Sequence, residues 1–224
     1  MRKKSDFKNR LGYLAFAIVF IAASNALMID SNVGSMVWMA SAVNVTNIIK
    51  IDYGTTLFVY AVIVTVANQF LLGKFDGHIL LSNLVFAFPF SYLVGFFTKF
   101  YLLFHFENWG LFWQVILDVL GLLGASIGCS IYERVNLIQH PNDELAYIIR
   151  FKYLHGSAGW GQFFSYLPPI LVLIVCFFMT GKIESVGLGT VLAVCFQGIL
   201  IGKADHIIVP SLKHHPNESI KTLD

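Results

Sequence analysis

Asp118 stands seven residues into an apolar run long enough to cross a bilayer. A charged carboxylate at that depth costs about 2.5–3.5 kcal/mol on insertion scales, so it must face the bundle interior, find a donor or carry a proton. The functional expectation is a proton or cation site; the structural one is a position near enough to the outer interface for water to reach. Gln114 lies four residues earlier on the same helical face and is the expected hydrogen-bond partner. Asn25, Asn68, Asn83 and Gln197, with Gln69, are the other amides in apolar runs. Interhelical bonds of this kind average only about 0.6 kcal/mol. They read first as glue between helices, and otherwise as the lining of a pocket for an uncharged or zwitterionic small molecule.

Other chemistries find little support. Cys129, Cys176 and Cys195 fall in apolar runs without CxxC spacing, as small packing residues do. His140, His155, His206, His214 and His215 show no HExxH or paired ligand spacing. Gly187-Leu-Gly189-Thr190 lacks the following Lys of a phosphate cradle; it reads as a tight turn with Thr190 capping the next helix. No catalytic triad, metal set or nucleotide motif stands at membrane depth. The expectation is a protein that is not an enzyme, uses no cofactor or metal and binds no nucleic acid. Its partners are membrane lipid and a small-molecule substrate, with a homo-oligomer compatible.

The elements that position these residues follow from composition. Of 224 residues, 57% are hydrophobic and 12% charged, and mean hydropathy is +0.71. Soluble domains carry about 25% charged residues, so this chain cannot cover a water-facing surface. Six apolar runs emerge at 11–29, 54–72, 79–99, 111–131, 163–180 and 186–201. Their content is continuous, without the alternation of a membrane β-barrel, so they read as transmembrane helices. The basic head before the first run resembles a secretory signal. Its length and the five runs after it favour a retained span. The net charge of +2 says less than its distribution. With the N-terminus inside, twelve Lys and Arg fall on the inner segments, whereas Lys50, Lys99 and Lys182 fall outside. Both termini are therefore expected in the cytoplasm, with the chain multi-pass in the membrane.

Two inter-span segments, 30–53 and 133–162, are long. Gly34 precedes Gly54 by the same 20 residues as Pro141 precedes Gly161, an offset of 107 between the pairs. Each half, 1–105 and 106–224, reads as helix, loop with a short helix, helix, helix. The second half holds the cytoplasmic loop 133–162 and the C-terminal tail. Odd span numbers place the halves in opposite orientations, giving an inverted 3+3 repeat. The short helices are expected at 35–43, capped by the Ser35 hydroxyl, and at 142–150, capped by Asn142 with Asp143 and Glu144 in its first turn. They read as interfacial helices or as paired elements framing a central site. The fold class is an all-α membrane protein of six transmembrane helices.

Gly34-Ser35 with Trp38, Pro141-x-Asp143, and Gly187-Leu-Gly189-Thr190 resemble the YczE/YyaS/YitT family of bacterial integral membrane proteins, over roughly residues 11 to 205. Many members carry Pro and Asp in the first loop; here Met36 and Val37 precede Trp38, and no acid follows. The resemblance implies a multi-pass fold and a transporter-like role. The expected function is a small-solute transporter or exporter working by alternating access. The alternative is a non-transporting scaffold or regulator of a partner protein, acting through loop 133–162.

Overall fold

The computed structural model describes residues 2–155, 158–210 and 212, with the backbone alone at 2–6, 158 and 159. The tail 213–224, with His214 and His215, lies outside the described residues. Among the described residues nine α-helices run in the order α1 (Arg2–Asp30), α2 (Val37–Ile49), α3 (Tyr53–Leu72), α4 (Gly77–Tyr101), α5 (Leu111–Val135), α6 (Pro141–Ile148), α7 (Ala158–Ser165), α8 (Leu167–Thr180) and α9 (Leu188–Ile207). Among the described residues there is no strand. Six segments of the described residues are long and apolar enough to cross a membrane: Phe7–Asp30, Tyr53–Leu72, Gly77–Phe104, Leu111–Val135, Trp160–Thr180 and Leu188–Ile207. The protein is an all-helical, multi-pass membrane protein. The fifth span is broken at Tyr166, and Pro168 and Pro169 then occupy the first turn of α8, where a missing N–H is tolerated.

α1 and α5 form the central pair. Gly121, Gly124 and Gly128 let α5 close on Met28, Ser24 and Ile21 of α1, and a methyl at any of them would collide with those residues. α4 packs on α1, and α9 on α5. α2 lies against α8, whereas α6 lies against α3. α3 and α4 pack closely, Gly95 meeting the backbone of Gly54. Between α8 and α9 no such packing forms, and both keep most of their surface exposed. Gly198 and Gly202 have the four-residue spacing that can seat a neighbouring span. A methyl on either would meet open space, because that face of α9 has no helix against it among the described residues.

The short helices depart from expectation in how they start. α2 begins two residues late, at Val37, with Met36 at its N-cap and no side-chain bond there. The Ser35 hydroxyl instead pairs with that of Ser185 at 2.8 Å. α6 begins at Pro141, and His140, not Asn142, is its cap: Nδ1 accepts from the Asn142 amide at 3.2 Å. Pro141 supplies the fixed φ of a first helical residue, which moves the cap one place upstream of it. Beyond Ile148 the helix widens into a π turn, Ile149–Tyr153. Lys152 Nζ and the Tyr153 hydroxyl there donate to the terminal carbonyls of α3, Leu71 and Leu72.

Candidate functional site

Asp118 is fully buried. Its Oδ1 faces the Ser31 hydroxyl at 3.4 Å, and its Oδ2 has no hydrogen-bond partner. Gly189 at the start of α9 sits so close that a methyl there would collide with the carboxylate. Gln114 does not serve it. Its Nε2 donates to the Phe106 and Glu107 carbonyls at 3.1 and 3.2 Å, tying α5 to the loop before it. A helical i, i+4 face brings two side chains within reach, but Gln114 is spent on the loop carbonyls, and the carboxylate is already enclosed by Ser31 and Gly189.

The glycine motifs meet around Asp118. Gly34, at φ +142°, lies where a methyl would come within 2.8 Å of the Thr190 amide and 3.0 Å of that of Gly187. The Gly189 amide donates to the Val33 carbonyl at 3.2 Å. Thr190 Oγ1 accepts from the Gly187 amide at 3.2 Å and the Ser35 amide at 3.3 Å. Residues 155 positions apart thus build one interlocked junction of backbone and hydroxyl groups.

The larger opening lies elsewhere. A cavity of about 470 Å³ is enclosed by α1, the starts of α2 and α6, and faces of α4, α5, α7 and α9. Pockets for small molecules run from about 300 to 1,000 Å³. Asn25, Gln197, Trp38 and Asp143 line it; Asp118, Gln114, Asn68 and Asn83 do not. Its walls are aromatic, from Trp38, Phe86, Phe90, Tyr132 and Tyr166. The His140 ring stands edge-on between Phe86 and Phe90, with centroids 5.4 and 5.0 Å away. Asn25 spends its Nδ2 on the Ile21 carbonyl at 3.0 Å, which leaves Oδ1 buried without a partner. The Tyr132 hydroxyl donates to Asp143 Oδ2.

Burial governs the charges on the α6 segment. It pushes Asp143 up to about 7 and His140 down to about 4, so that histidine is neutral at physiological pH. Glu144 also rises to about 7, by burial and then by the charges of Asp143 and Asp76. It points away from the main cavity into a small one of about 50 Å³ with Ser82 and Gln139. Asn68 is fully buried and donates to the Pro141 carbonyl at 2.9 Å, fixing the start of α6 on α3. Asn83 is fully buried with neither amide atom bonded. Among the described residues no three His, Cys, Asp or Glu gather as a metal site.

The sequence matches the family of unknown function DUF6198 over residues 8–206. The chain belongs to that family. No curated protein and no solved structure matches it. Membership is thus fixed at the level of DUF6198, while the likeness to YczE/YyaS/YitT proteins rests on the motifs alone. Of the residues singled out in this DUF6198 chain, two amides and two loop residues share the cavity. Glu133, His140, Tyr132 and Tyr166 join them unannounced. Their apolar or interfacial surroundings carried no helical-face signal pointing to a common space. The spacing of Pro141 from Tyr132 and Glu133, a short loop folding α6 back on α5, was the one clue available.

Proposed function

We propose that this DUF6198 protein is a small-solute transporter of the bacterial cytoplasmic membrane, working by alternating access. The observation that carries the reading is the cavity of about 470 Å³ where the first turns of α2 and α6 converge. Secondary transporters place substrate where short or broken helices of two opposed repeats meet. The reciprocal packing of α2 on α8 and α6 on α3 supports the inverted repeat, as does the correspondence of α1–α4 with α5–α9. The Lys and Arg distribution supports both termini in the cytoplasm. The reading is non-enzymatic, and it extends the likeness to YczE/YyaS/YitT proteins. Asp118, outside the cavity, sits where α9 must slide on α5 and the 31–34 loop, so its role in coupling concerns movement more than substrate contact.

Thermal unfolding of the purified protein against a metabolite, vitamin, ion and antibiotic panel tests the reading. A ligand at 100 times its dissociation constant stabilises by about 2.7 kcal/mol. The expected hit is lost in Trp38→Ala and is carried across proteoliposome membranes. Failure of every stabilising solute to cross, with phenotype lost only on substituting Arg150 and neighbouring loop residues, would replace transport with the scaffold reading. Asp118→Asn with unchanged flux would remove the coupling role.

A further inference from the structure

Every formal charge on the cavity wall has the same sign. Asp143 from α6 and Glu133 from α5 line it, and no Lys or Arg does among the described residues. Asn25, 2% exposed, lines the same space with its Nδ2 already bonded to the Ile21 carbonyl. The walls between these groups are the faces and edges of Trp38, Phe86, Phe90, Tyr132 and Tyr166. Such a lining has no cation to balance a carboxylate or phosphate, its N–H donors being the neutral ones of Trp38, His140, Asn142, Gln162 and Gln197. It presents aromatic walls, whose π faces attract cations.

We propose that the cavity takes a protonated organic amine with an apolar or aromatic body, its ammonium held between Asp143 and Glu133. This rests on the transporter reading and names its substrate class. The ammonium competes with a proton for Asp143, which burial places at about 7. The titratable groups around Asp143 are Tyr132, Glu133 and Cys129 from α5, Tyr166 at the start of α8, and His140 and Glu144 of its own segment. α4 contributes Phe86 and Phe90, and α3 the amide of Asn68. Glu133 feels in turn the charges of Asp205 and of the Arg134 guanidinium behind the wall. With no cation lining the cavity itself among the described residues, amine affinity falls as pH drops through 7, the arrangement of a proton–amine exchanger.

Cys129 lies on the cavity wall and serves as the probe, in a Cys176→Ser/Cys195→Ser background. Rates with a trimethylammonium-ethyl and a sulfonato-ethyl methanethiosulfonate are each divided by their rates with a free thiol. A focused negative field speeds the cation by at least about tenfold, and Asp143→Asn with Glu133→Gln brings the ratio toward one. 2-Phenylethylammonium slows labelling by neutral methyl methanethiosulfonate, increasingly so above pH 7, whereas 3-phenylpropionate does not. A ratio of one or below in the parent, or protection by the acid, by both alike or by neither, overturns the amine assignment and leaves the cavity standing. Failure of the neutral reagent to reach Cys129 in folded protein, while it labels the unfolded chain, overturns the cavity reading itself.

Discussion

Gly189 shows how little freedom one residue has at the junction of α9 with α5. A methyl there meets the Asp118 carboxylate, and overpacking of this kind costs about 1–3 kcal/mol. Gly189→Ala should therefore lower the unfolding temperature in detergent, and Gly189→Ala/Asp118→Ala should recover part of the loss. Glu144 supplies a second test at this scale. Its pKa is raised to about 7 in the folded protein, so between about 4.5 and 7 the folded state binds more protons than the unfolded one. Stability contributed by this group is present below that window and is lost as pH rises through it. Asp143 acts in the same direction, whereas His140, lowered to about 4, acts oppositely between 4 and 6.5. Glu144→Gln should flatten the fall by up to about 1.36 kcal/mol per pH unit, measured as unfolding midpoints from pH 5 to 8. At this scale the sequence narrows Asp118 to the bundle interior or the outer interface, and the structure buries it. It does not reveal the partner, because Gln114 answers to loop carbonyls that no helical spacing announces.

Among the elements, the C-terminal end of α9 gathers on one side chain. Arg134, 1% exposed, donates to the carbonyls of Ser130, Asp205, Ile208, Val209 and Leu212, and its Nε lies 3.3 Å from Asp205 Oδ1. The guanidinium thus closes the C-terminal end of α9, where free carbonyls and the helix dipole favour a cation. Arg134→Met strips partners from several buried carbonyls and a carboxylate, and breaking such a set costs about 3–5 kcal/mol. Faster limited proteolysis after Ile207, with α1 and α5 still protected, is the expected signature. The existence of α2 and α6 is readable from Gly34-Ser35 and Pro141 as punctuation. Their caps are not, because Ser35 finds a better partner in Ser185 and Pro141 shifts the cap to His140.

For the whole molecule, hydropathy locates all six spans, but pairing them is another matter. Lipid-facing and buried positions are equally apolar, so no hydrophobic stripe says which helix meets which. Only the glycines of α5 give its contact face away. The unequal seams, α3–α4 closed and α8–α9 parted, carry the remaining prediction. If rocking closes one seam as it opens the other, spin labels at exposed Phe178 and Val191, in a chain cleared of native cysteines, should report two distance populations. 2-Phenylethylammonium should shift their ratio; one sharp, unmoved distance would mean a rigid frame.

The parted seam also bears on where a solute comes from. The α9 residues that line the cavity, from Ala193 to Ile201, occupy the middle of a span that runs from Leu188 to Ile207. If that seam is an entrance, a slot at that level opens toward acyl chains. A molecule already dissolved in the bilayer would then reach the aromatic walls by sideways diffusion, and loading would follow its concentration in lipid as well as in water. Two amines of equal intrinsic affinity would then be ranked by their oil–water partition coefficients. Changing lipid saturation would alter apparent transport without touching a single residue of the protein.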